Sequence, residues 1–102
     1  MPKIEMIAER QVEVVFADSE PRLATLRIGR PTPHEKEDWE CHVAIDGAFQ
    51  LSRPVFGVDS GQAVMLGIAL LKQTVESQIS KGARLRWPGT HEPINVNKLF
   101  PL

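Results

Sequence analysis

A chain of 102 residues, 42% hydrophobic and 25% charged, has the size of one small folded domain; the first fraction is slightly low and the second ordinary, and neither suggests disorder. Its net charge of −1 argues against nucleic acid as a main partner, which needs a basic excess on at least one face. The single cysteine, Cys41, excludes an internal disulfide framework. With an N-terminal segment lacking a signal-type apolar core, it points to a reducing, cytoplasmic setting. The longest apolar run, 63–71 with Gly67 inside it, is too short to span a bilayer.

Residues 7–16 alternate. Val12, Val14 and Phe16 fall on one side, Gln11, Glu13 and Val15 on the other, which is the pattern of a half-buried strand. A turn through Ala17, Asp18, Ser19, Glu20 and Pro21 follows. The second strand covers about 22–30, with Ala24, Leu26 and Ile28 opposite Leu23, Thr25 and Arg27. Pro31 and Pro33 stop it, because proline gives the ladder no N–H, and 34–38 form a charged link. The third strand alternates most cleanly: Trp39, Cys41, Val43 and Ile45 against Glu40, His42, Ala44 and Asp46. Asp46-Gly47 signals a hairpin. The fourth strand spans about 50–58, with Phe56 and Val58 expected on the inner face and Pro54 marking a sheet edge or a bulge.

The spacing then changes from every second residue to every third or fourth. Asp59 is placed to cap a helix, with Gln62 closing a capping box, and Gly57 to permit an unusual backbone angle at the junction. Val64, Ile68, Leu71, Val75 and Ile79 form an apolar stripe, widened by Ala63, Leu66 and Leu70; Gln73, Glu76, Gln78 and Lys81 form the wet side. Gly82 is a natural stop. The tail, 83–102, contains Arg84-Leu85-Arg86-Trp87 as a short strand or extended cover, a Pro88-Gly89-Thr90 turn, and Leu99, Phe100 and Leu102 to dock on a surface. The reading is a single α+β domain over 1–102: a four-stranded antiparallel meander and one long helix on one face, with a core over about 4–82 and an extended tail.

The runs Trp39-Glu40-Cys41-His42-Val43-Ala44-Ile45-Asp46-Gly47 and Val55-Phe56-Gly57-Val58-Asp59-Ser60-Gly61-Gln62-Ala63 resemble a family of small bacterial proteins of unknown function. Ile7-Ala8-Glu9-Arg10 and Arg27-Ile28-Gly29-Arg30-Pro31 resemble the same family, so the likeness covers roughly 7–80. It implies a bacterial source and the same fold, and supplies no mechanism.

No catalytic or metal-binding constellation stands out, and no cofactor is expected. Cys41 and His42 are strand neighbours and point to opposite faces. His34, Glu35, Glu37 and Asp38 offer metal ligands, but on one charged loop without a converging set. Gly57-Val58-Asp59-Ser60-Gly61 lacks the Gly-x-Ser-x-Gly pattern of a nucleophile elbow. Arg84, Arg86 and Trp87, with Arg27, would be the basic and stacking groups of a nucleic-acid site.

A single helix leaves one sheet face open. That face carries Gln11, Glu13, Val15, Leu23, Thr25, Arg27, Glu40, His42 and Ala44, with Val15, Leu23 and Ala44 as a contact patch. The reading favours a non-enzymatic interaction module working through this face or a sheet edge, toward a protein partner or a second copy as a homodimer. The alternative is a ligand site or enzyme pocket at His34, Asp38, Asp59 and Ser60.

Overall fold

The computed structural model describes residues 4–17 and 19–101 and, at Glu37, the backbone alone. The turn residue Asp18, the tail residue Leu102, the Glu37 carboxylate and positions 1–3 lie outside the described residues.

Alternation builds the meander where the sequence shows it. β1 (Met6–Val15) pairs antiparallel with β2 (Arg22–Gly29). A two-residue strand, β3 (Thr32–Pro33), follows and pairs with the start of β4 (Trp39–Gly47). β4 pairs with β2 on that same side and, on its other side, with β5 (Leu51–Gly57). After the long helix α1 (Ser60–Ser80), β6 (Arg84–Arg86) returns to pair with β1, and β7 (Pro93–Ile94) pairs with β6. A short helix, α2 (Val96–Leu99), completes the tail.

The described residues thus form a seven-stranded antiparallel sheet rather than the four-stranded one expected. The three added strands are two or three residues long, too short for a period of two to register.

The inner face of the sheet holds Val12, Val14, Ala24, Leu26, Ile28, Cys41, Val43 and Ile45, all buried. α1 packs on it chiefly over β4 and β5. Its buried line is Ala63, Gly67, Leu71 and Val75. The expected stripe through Val64, Ile68 and Ile79 is therefore rotated: Val64 and Ile68 flank the contact and Ile79 is 36% exposed. Gly67 explains the rotation. A Cβ there would lie 3.0 Å from Val43 Cγ1 and 3.4 Å from Cys41 Sγ, so the bare backbone lets the helix sit down on β4.

The fourth strand is turned over relative to expectation. Its register places Leu51 beside Ile45 and Val55 beside Cys41, while Phe56 lies opposite Glu40 on the outer side. Phe56 is 45% exposed and Val58 69% exposed. A one-residue change of parity flips every side chain of a strand to the other face. Pro54 does sit on a border strand, since among the described residues β5 has only β4 as a neighbour.

The core also runs past 82. Ala83, Leu85, Ile94, Leu99 and Phe100 are buried in it, so the tail is part of the sheet and of the apolar layer. Among the described residues no helix is long and apolar enough to cross a membrane.

Candidate interaction site

The open face is a lattice of ion pairs rather than an apolar patch. Arg27 Nε donates to Glu9 Oε2 at 3.2 Å, and Arg27 Nη1 donates to Asp46, tying β1, β2 and β4 together. Arg86 Nε donates to Glu13 Oε1 at 2.8 Å, from β6 to β1. The Glu13 carboxyl is held below the usual carboxylate range, first by that bond, against partial burial that raises it. His42 Nε2 and Ser52 Oγ share a 2.9 Å hydrogen bond. Glu40 lies 4.0 Å from His34 Nε2, and the His34 ring meets Phe56 edge-on at 4.9 Å.

Thr25 is buried at 8% exposure, flanked by Gln11 and Asp46. Val15 is half-buried beside Arg84, and Leu23, opposite Glu13, is 41% exposed. Ala44 lies opposite Arg27, two rows from Leu23, with the Thr25–Asp46 row between. The register thus separates Leu23 from Ala44.

The loop residues His34 and Asp38 are exposed, and Asp59 caps α1 by accepting from the Gln62 amide at 2.7 Å. Neither these three nor Ser60 line any of the grooves described below. Among the described residues no group of three or more His, Cys, Asp or Glu side chains converges as a metal site. Cys41 is buried under Gly67, and burial pushes its thiol up in pKa. Of the basic residues weighed for nucleic acid, Arg27 and Arg86 are engaged by carboxylates.

Among the described residues, two sheet borders run beside a groove. On β5, a groove of about 440 Å³ runs between the strand and α1, lined by Arg53, Pro54, Val55, Phe56, Leu66, Ala69, Leu70 and Gln73. Pro54 has no N–H to offer there. On β1, β6 pairs only with Glu13, Val14 and Val15. Residues 8–12 keep β2 on one side and have no strand on the other among the described residues. A bulge at Ile7 ends this regular stretch.

Beneath residues 8–10 lies a groove of about 300 Å³, because α1 covers β4 and β5 while α2 reaches only part of the β1 side. It is lined by Ala8, Leu26, Ile28, Ile68, Leu71, Leu99, Phe100 and Pro101, together with Glu9, Arg10 and Arg27, of which Arg10 belongs to the inward-facing row. A second hollow of about 330 Å³ lies against Met6, Ile7, Ala8 and Glu9.

Arg10 pairs with Leu26 and so belongs to the inner side. Its guanidinium carbon sits 5.2 Å from the centre of the Trp87 ring, and it makes no ion pair among the described residues. Ala8 and Arg10 are not among the site residues expected from the sequence. The signal was present in the alternation: carried back from Val12 and Val14, it sets a charge and a methyl group into an inward-facing row.

Residues 8–96 match the family model described as DUF6968, a domain of unknown function. No curated protein and no solved structure matches the chain. The matched span takes in β6 and β7, beyond the 7–80 covered by the resemblance.

Proposed function

The chain belongs to the DUF6968 family, and from that premise we propose a small non-enzymatic interaction module that receives an extended segment of a protein partner along the border of β1. The observation that carries the reading is the mismatch in strand length. β1 is ten residues long, and β6 pairs with three of them. Alternate N–H and C=O groups over 8–12 therefore face outward in a row, the arrangement that strand addition uses.

Other borders suit this less. β5 carries Pro54, which has no N–H, at its middle, and β7 is two residues long and begins with Pro93. The outer face is occupied by the Glu9–Arg27–Asp46 and Glu13–Arg86 pairs, whose charges would have to be desolvated by a partner lying flat on them.

The test is selection of a displayed random-peptide library on the full chain, followed by amide-shift mapping with the selected peptides. Shifts concentrated on 8–12 and on the groove wall are expected. Selected peptides that map to β5 or the outer face, or a library that yields none, would sink the reading.

A further inference from the structure

On the reading of β1 as a strand-accepting border, we infer that the accepted segment carries an acidic residue and a large apolar residue two positions apart. Ala8 and Arg10 face the inner side, as their partners Ile28 and Leu26 do. The methyl group of Ala8 leaves the groove beneath it unfilled, and the wall behind is apolar. The neighbouring charges are not equivalent. Glu9 and Arg27 turn to the outer face and bond one another there, and Arg27 also bonds Asp46. Among the described residues Arg10 makes no ion pair and has the Trp87 ring as its neighbour, a contact that uses none of its N–H donors.

Cross-strand geometry supplies the spacing. Directly opposed residues share a face, with Cβ atoms about 4.5–5.5 Å apart. A strand added antiparallel puts one side chain opposite Arg10 and the side chain two positions later opposite Ala8. A carboxylate at the first position meets the Arg10 guanidinium. A Leu, Met or Phe at the second covers the groove over Leu26, Ile28, Ile68 and Leu71. A parallel strand reads the same pair in the reverse order.

Symmetric pairing of β1 with a second copy does not satisfy this site. Over the regular stretch that begins after the bulge at Ile7, antiparallel self-pairing with faces kept brings Ala8, Arg10 or Val12 opposite Arg10, and none of them is acidic. The occupant inferred is a segment of a different protein.

The probe is a short acetylated threonine-rich peptide carrying glutamate and, two positions later, phenylalanine, made also in the reverse order. Companion peptides replace the glutamate by glutamine or the phenylalanine by alanine. Binding to the full chain and to its Arg10→Gln variant is read by fluorescence anisotropy; Arg10 is exposed, so the variant keeps its fold.

In one of the two orders, the glutamine peptide should bind the parent chain about tenfold more weakly than the glutamate peptide. On Arg10→Gln the two should bind alike, and the alanine peptide should be weaker on both proteins. Equal binding of glutamate and glutamine peptides to the parent chain overturns the inference, as does equal weakening of both by Arg10→Gln or no saturable binding in either order. Library-selected peptides that map to 8–12 without the acidic–apolar pair would remove this inference and leave the border reading standing.

Discussion

Glu13 fastens the end of the chain to its beginning. It accepts from Arg86 Nε at 2.8 Å and from the Gly89 amide at 3.4 Å, while Arg86 Nη1 donates to His91 Nδ1 at 3.2 Å. Its carboxyl is lowered from 4.5, so the folded state holds the proton less tightly than the unfolded one. Glu13 therefore stabilises above about 4.5, and that contribution fades as pH falls through its folded value. Urea midpoints measured from neutral pH downward should fall more steeply for the parent than for Glu13→Gln, the curves converging at the acid end; parallel curves would remove the assignment. Gly57 gives a second single-residue test. Its φ is ordinary, and what it needs is space: a Cβ would lie 2.5 Å from the Ala63 amide nitrogen and 2.9 Å from Ala63 Cα. Gly57→Ala should cost about 1–3 kcal/mol by overpacking against backbone. Gly61→Ala, which meets only Asp59 Oδ1 at 3.5 Å, should gain about 0.5–1 kcal/mol of helix propensity. Shifts of the same sign in a denaturant titration would refute the contrast.

At the scale of elements, the caps explain why α1 was the best-read part of the chain. Asp59 accepts from the Gln62 amide, and the Gln62 side chain accepts from Val58 N–H at 2.8 Å, one residue before the usual capping-box partner. At the other end Gly82 donates to Ile79 O and Ala83 to Gln78 O, with φ +103° at Gly82, which is a Schellman motif. These signals are local and therefore visible in sequence. The parity of β5 was not, because its inner set is Leu51, Arg53, Val55 and Gly57, with only two apolar side chains to announce it. The tail is legible only in part: a short strand at Arg84–Arg86 and docking of Leu99 and Phe100 match the expectation, but where they attach does not show in the sequence. β6 exists because β1 offers it a border, and α2 because Leu99 and Phe100 find a core already built; neither segment carries a period of its own. Leu99 is 2% exposed. Leu99→Ala should cost about 2–5 kcal/mol, read as a drop in urea midpoint, whereas a loosely docked tail would give a shift near zero.

At the scale of the whole molecule, the thinnest dimension is 21 Å, the thickness of one sheet and one helical layer. One helix lies over one half of a wide sheet, and the second half is closed only as far as the short tail reaches. The groove at Ala8 and Arg10 is the remainder. Its residues stand in the first strand, but its existence depends on where α1 crosses and where α2 returns. No local spacing encodes either, so the candidate site was far less legible than the fold that frames it. The same asymmetry makes a prediction for native-state hydrogen exchange. β4 has a strand on each side over Val43 and Ile45, so consecutive amides there are all bonded and should exchange slowly. Residues 8–12 of β1 have β2 alone among the described residues. In an antiparallel pair, successive residues turn their N–H groups alternately toward the partner and away from it. Protection should therefore alternate slow and fast along 8–12, with the fast set slowed by any peptide that adds to the border. Uniform slow exchange over these residues in the isolated chain would mean that the outward amides already have partners, and the proposed docking border would then not exist.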